Sequence, residues 1–214
     1  GARANIAPGK GSKDTLRHAI QTLSADNMQQ RNSRAHTGWA VIDGNRVFVH
    51  NDGAVGGEGI KVSLPQQLHG YRFPTDNAVD PVAAMRESIA LMDVANAKIS
   101  APLWAAMYLA PLSEFIAPVF TISVEGGSGS YKSSYSAVML CHYGPKFEEN
   151  KSMPADWLGT ANSLEKLCHH AKDVPLIIDD LRPTSSPSEH KELMAKVNHI
   201  VRAVGNRQGR SRLD

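Results

Sequence analysis

The stretch VEGGSGSYKSS, residues 124–134, decides how this chain is read. Ahead of it, Val119–Val124 has the β-branched weight of a strand. Behind it, Lys132 to about Tyr143 predicts a helix. Between them, Gly126, four further residues, and then Tyr131, Lys132 and Ser133 fit the phosphate-loop (Walker A) pattern G-x-x-x-x-G-K-[ST] at every fixed position but one. Small residues at Gly126, Gly127, Ser128, Gly129 and Ser130 let backbone N–H groups face phosphate oxygens. The helix starting near Lys132 adds its positive end. In that reading Lys132 reaches the β- and γ-phosphates of a nucleotide, Ser133 Oγ ligates Mg²⁺, and Ser134 closes the loop. Tyr131 stands where Gly is usual, so its side chain must point away from the nucleotide. Without a second motif, the same residues are a Gly/Ser turn that happens to carry a lysine.

The second motif lies further on. Val174–Ile178 is an apolar run closed by Asp179 and Asp180, which reads as a buried strand with two carboxylates at its C-terminal end. Ligands of open α/β sheets bind at that edge. In this Walker B reading Asp179 holds Mg²⁺ through water beside Ser133, and Asp180 orients the attacking water. The plainer alternative is that the pair caps the next segment. The interval between the motifs leaves room for a helix, a strand and a second helix. Trp157–Leu158 supplies the strand, and Asn162–Glu165 resembles the capping box of a helix ending near Ala171. Glu189–Val204, with Leu193, Val197, Ile200, Val201 and Val204 on one face, is a last helix. Strands alternating with helices predict an α/β fold, a parallel-sheet core of the P-loop NTPase (RecA/AAA-like) kind over 116–214.

Upstream, residues 1–37 read as a tether with one helix over Asp14–Ser24. A small β subdomain follows over 38–75. In it, two strands flank a turn at Asp43, Gly44 and Asn45, with further strands at Lys61–Leu64 and Tyr71–Phe73. Residues 76–115 form a helical connector. Asp80 and Pro81 open a first helix running to about Ala97, and Ser100 caps a second to about Leu112.

Composition narrows the classes. With 42% hydrophobic residues the chain can bury an ordinary core, and a net charge of +2 does not suit a polybasic nucleic-acid coat. Two cysteines, Cys141 and Cys168, make no secreted disulfide framework. The pairs Cys141–His142 and Cys168–His169 fit no standard zinc spacing and read as buried structural cysteines with surface histidines. The N-terminus lacks a signal pattern, and the apolar run 103–112 is too short to span a bilayer, so a soluble cytoplasmic protein is expected.

Four segments together, GGSGSYKSS (126–134), GTANSLE (159–165), LIIDDL (176–181) and RAVGNRQGRSR (202–212), resemble the domain-of-unknown-function 927 family. The likeness extends through Thr37–Trp39 and the following hairpin, so it covers most of the chain. It implies a P-loop ATPase of phages and mobile elements, acting in DNA replication as a helicase-like motor and assembling as a homo-oligomeric ring. An aromatic before the loop lysine and Asp-Asp in place of Asp-Glu are both compatible with it. By position in the family-like motif, Arg210, then Arg207, is the candidate finger on a neighbouring subunit's γ-phosphate. The same arginines could instead contact nucleic-acid phosphates, or form a solvated end. The family's core continues past this segment into a strand with a polar sensor residue. The resemblance therefore implies an incomplete core that binds ATP yet hydrolyses it poorly. The competing reading is a non-catalytic nucleotide- or partner-binding module. A small-molecule kinase is a weaker one, because no arginine-rich lid lies between the motifs.

Overall fold

The computed structural model describes residues 11–24, 33–74, 80–145, 147 and 152–206. The chain divides into two compact units, residues 1–32 and 33–214. In the first, helix α1 (Ser12–Ser24) exposes Leu16, Ile20 and Leu23.

The second unit is a mixed α/β assembly of short sheets and helices. Strand β1 (Ser33–Arg34) pairs in parallel with β5 (Lys61–Val62). Strands β2 (Gly38–Ile42), β3 (Asn45–His50) and β4 (Gly53–Val55) form an antiparallel meander. Ile42 pairs with Asn45, so the hairpin turn is Asp43–Gly44, with φ of 51° and 80°. Two successive positive φ values give the type I′ geometry whose twist suits a right-handed ribbon. The predicted strand at Tyr71–Phe73 is absent. Instead Tyr71 is buried, and its hydroxyl donates to Pro175 O at 2.7 Å.

Helix α2 (Pro81–Ala90) begins as predicted, Asp80 accepting from Val82 N at 2.9 Å. It ends earlier than expected, and α3 (Ala97–Leu109) is capped by Asn96 rather than Ser100. Ser100 lies inside α3, fully buried, where its hydroxyl donates to Met92 O at 2.7 Å and ties α3 to the turn that follows α2. Helix α4 (Lys132–Leu140) packs Ala137, Met139 and Leu140 into the core. Helix α5 (Ala161–His170) is capped by Thr160, not by Asn162, because the Thr160 hydroxyl reaches Ser163 N at 3.1 Å. Helix α6 (Pro187–Gly205) is capped by Ser186 and starts two residues before the predicted Glu189. Among the described residues, no helix is long and apolar enough to cross a membrane.

One core joins the β meander and its following loop to the helices of the connector and of the C-terminal part. Phe48, Leu64, Leu68 and Tyr71 pack with Met107 of α3, Met139 and Leu140 of α4, and Leu167 of α5. A buried polar knot accompanies it. Ser88 receives the Trp104 indole N–H at 2.9 Å, and its hydroxyl lies 2.6 Å from the Tyr108 hydroxyl and 2.7 Å from His142 Nε2. Each polar atom therefore keeps a partner, as burial demands.

The expected strand before the phosphate loop is where the structure departs most from the sequence reading. Val119–Val124 forms no strand and pairs with none among the described residues, and Val119, Phe120 and Ile122 are 70%, 54% and 40% exposed. Strand β6 (Ala155–Asp156), two residues ahead of the predicted Trp157–Leu158, pairs in parallel with β7 (Ile178–Asp179). β-Branched residues favour a pleated, half-buried surface, and without a neighbour to supply ladder hydrogen bonds the run stays irregular. No sheet among the described residues exceeds three strands.

Candidate functional site

Helix α4 is entered through a left-handed turn. Gly129 has φ 76° and Tyr131, its N-terminal flanking residue, φ 57°. Left-handed backbone is where Gly is ordinarily favoured, and Tyr131 adopts it with its side chain 78% exposed. Residues 126–130 are exposed as well, while Lys132, Ser133 and Ser134 are half-buried. The loop folds back on its own lysine. Lys132 Nζ donates to Gly126 O and Gly127 O, both at 2.8 Å, and to Ser130 Oγ at 3.1 Å. Ser130 Oγ in turn donates to Gly127 O at 2.7 Å. In this state two loop carbonyls face the ammonium, in the place where a phosphate loop would present amides.

The acidic strand end meets the helix start. Ser133 Oγ donates to Asp179 Oδ1 at 3.0 Å across 46 positions of sequence. The same oxygen accepts the Asp180 N–H at 2.8 Å. Asp179 is held from the other side by β6, Trp157 N donating to Asp179 O at 3.1 Å. Asp156, directly across the ladder, turns its carboxylate to the Leu158 and Gly159 amides. Asp180 adopts φ 64°, a conformation Asp tolerates, and its Oδ2 lies 2.5 Å from Arg182 Nη2. The hydrogen bond and charge of that carboxylate raise the pKa of the exposed Arg182 guanidinium. A groove of about 460 Å³ opens beside Asp180, with Trp157, Arg182, Glu189 and Lys196 among its walls.

Residues 37–39 hold the segment that leads into β7. Thr37 N donates to His170 O at 2.8 Å, and its hydroxyl donates to Lys172 O at 2.8 Å. Trp39 N donates to Asp173 Oδ2 at 2.9 Å, and Ser113 Oγ to Asp173 Oδ1 at 2.7 Å. Gly38 sits at φ 87°, so close that an added Cβ would stand 2.4 Å from Lys172 O. The sequence reading attached no role to Asp173 or to Arg182. Arg182 follows Asp180 by two residues, a local signal that was available; Asp173 gave none.

A family model matches residues 4–213. The chain belongs to DUF927, a domain of unknown function. No curated protein and no solved structure gives a significant match. Within this DUF927 chain Ser133 and Asp179 come together, Lys132 is turned back onto its own loop, and Asp180 is engaged by Arg182. Arg207 and Arg210, like Arg212, fall outside the described residues, while Arg202 lies in the last turn of α6.

The donor set around Asp179 suits a hard cation. A serine hydroxyl and a carboxylate meeting at one point are oxygen ligands of the type Mg²⁺ takes, and Mg²⁺ fills its other positions with water and substrate phosphate. Among the described residues no three His, Cys, Asp or Glu side chains gather as a metal cage. Cys141 is exposed rather than buried, and Cys168 is half-buried with its thiol pushed up to about 11 by burial. His142, expected at the surface, is half-buried in the Ser88 knot.

Proposed function

We propose that this chain binds a nucleoside triphosphate with Mg²⁺ at the 126–134 loop and hydrolyses it, as one subunit of a ring-forming, helicase-like motor acting on DNA. The observation that carries the reading is the 3.0 Å contact from Ser133 to Asp179. It joins the loop helix to the acidic strand end, the two elements a phosphate-loop enzyme must bring together. The DNA and ring parts are supported by the family resemblance alone, since a fold does not imply a function.

Lys132 releases Gly126 O, Gly127 O and Ser130 Oγ and turns to the incoming phosphates, while the first amides of α4 face the same charge. Ser133 Oγ and Asp179 would hold Mg²⁺, which when bound neutralises charge on the phosphate oxygens. Asp180 accepts a hydrogen bond from water once Arg182 lets it go. Arg210 or Arg207 of a neighbouring subunit supplies positive charge at the γ-phosphate.

A second reading, binding without turnover, is favoured by the 2.5 Å pair between Asp180 and Arg182, which occupies the carboxylate needed to orient water. The two readings separate in one experiment. Hydrogen bonds to charged groups contribute about 1.5–3 kcal/mol, so Lys132→Ala should weaken Mg-ATP binding roughly 10- to 100-fold in a fluorescent-nucleotide titration. Unchanged affinity would remove the site. Normal binding by the parent chain with no phosphate release, with or without single-stranded DNA, selects the binding module.

A further inference from the structure

A separate cleft of about 270 Å³ opens beside the β2–β3 hairpin, lined by Arg34, His36, Trp39, Arg46, Glu114 and Lys172 among others. Three permanent cations share it with one carboxylate. Each cation is fixed differently. Arg46 lies with its guanidinium carbon 5.9 Å from the Trp39 ring centre and 5.0 Å from that of Phe115, its Nη1 on Glu114 Oε2 at 3.1 Å. Lys172 Nζ donates to Trp39 O at 2.6 Å and stands 3.5 Å from Asp173 Oδ2. Asp173 itself is only 5% exposed and already accepts from Trp39 N and Ser113 Oγ, so it lies beneath the cleft rather than in it. Arg34 is placed by β1, whose backbone accepts from Ser63 N at 2.8 Å, and its guanidinium meets no carboxylate among the described residues.

We propose that this cleft binds single-stranded nucleic acid, with backbone phosphates on Arg34 and Lys172 and a base stacked on the Arg46 guanidinium plane. Stacking on aromatic rings or guanidinium planes beside a cationic groove is how unpaired strands are gripped without sequence preference. Trp39 and Phe115 hold the Arg46 plane in position, so little side-chain entropy is lost on binding. The cleft lies at the small end of ligand pockets, the size of a nucleotide unit rather than a helix. Its Trp39 and Lys172 walls belong to the contact between residues 37–39 and the turn that leads into β7. The biological role of this strand site rests on the motor reading above. Binding itself is measured without nucleotide, so failure here leaves the nucleotide site untouched.

The test is fluorescence anisotropy of a short labelled oligothymidylate with the full chain, across a salt series and without ATP. With two cations on phosphates, the slope of log affinity against log salt should be about −1.4, at roughly 0.7 per phosphate contact on single strands. Arg34→Glu should lower affinity about tenfold or more and flatten the slope by about 0.7. Arg34→Gln should show a smaller loss in the same direction, which guards against a folding defect in the charge-reversed variant. Lys191→Glu, the same charge change on α6, should bind like the parent. The proposal is overturned if both Arg34 variants bind normally. It is also overturned if Lys191→Glu weakens binding equally, or if a labelled oligoglutamate binds as tightly as the oligonucleotide.

Discussion

Gly38→Ala tests the contact between the hairpin and the turn that leads into the acidic strand, and its cost can be worked from the geometry. The new methyl carbon would stand 2.4 Å from Lys172 O, 2.6 Å from Asp173 Oδ2 and 2.7 Å from Asp173 Cβ, two of them backbone-proximal atoms that cannot swing aside. Left-handed backbone at φ 87° adds about 1–2 kcal/mol for a residue with a Cβ. Overpacking of this kind costs about 1–3 kcal/mol. Moving β2 away from the 172–173 turn far enough to relieve it weakens the Thr37–Lys172 and Trp39–Asp173 hydrogen bonds, at about 1 kcal/mol each. The stiffer unfolded chain of the Ala variant returns about 0.4–1 kcal/mol. The net loss is about 3–6.5 kcal/mol, read as a fall in Tm of roughly 6–26 °C for a domain of this size. Gly44→Ala is the internal control. Its φ is 80°, yet an added Cβ meets nothing within 4 Å, so it should lose only the conformational part, about 1 kcal/mol. Urea unfolding of both variants decides the matter. A Gly38→Ala loss no larger than that of Gly44→Ala would refute the close approach of residue 38 to the 172–173 backbone.

Two further outcomes follow from single side chains. His50 is 4% exposed and accepts from Asp52 N and Phe73 N on Nδ1, and burial lowers its pKa against the opposing pull of Asp52. The unfolded chain therefore binds the proton more readily, so His50 contributes stability that is complete above its ordinary value of 6.5 and is lost as pH falls below it. The urea midpoint should drop between pH 7.5 and pH 5.5 in the parent and drop less in His50→Gln; equal drops would contradict the assignment. Arg182→Ala frees Asp180, so the ATP turnover of the variant, measured by phosphate release, should rise severalfold if the motor reading holds. A fall in turnover would make Arg182 a participant rather than a restraint.

Several elements were legible because their causes are local. Asp43–Gly44 forms the hairpin turn since both residues accept positive φ. Asp80 and Pro81 open α2 because a side-chain oxygen and a preset φ act within one turn. The helix after Lys132 follows the Gly/Ser loop as the motif predicted. Elsewhere several candidates competed locally, and tertiary contacts chose among them. Ser100 carried a plausible cap signal, but Asn96 lies where the turn from α2 actually ends, and Ser100 was drawn inward by Met92 O. Val119–Val124 had the composition of a strand and lacked the neighbour that makes one.

By itself the sequence determined the residue types of the candidate site: a loop of small residues before Lys132 and Ser133, and two carboxylates closing an apolar run. Those are properties of adjacent residues, settled by sterics and hydrogen bonds within a few positions. Only the tertiary structure decided that Ser133 reaches Asp179, that Asp180 is engaged by Arg182, and that Gly38 lies against Lys172 and Asp173. It also gathered Arg34, Arg46 and Lys172 into one cleft. Such contacts depend on which distant segments win each other's backbone hydrogen bonds and apolar surface, a competition that no short window of sequence contains.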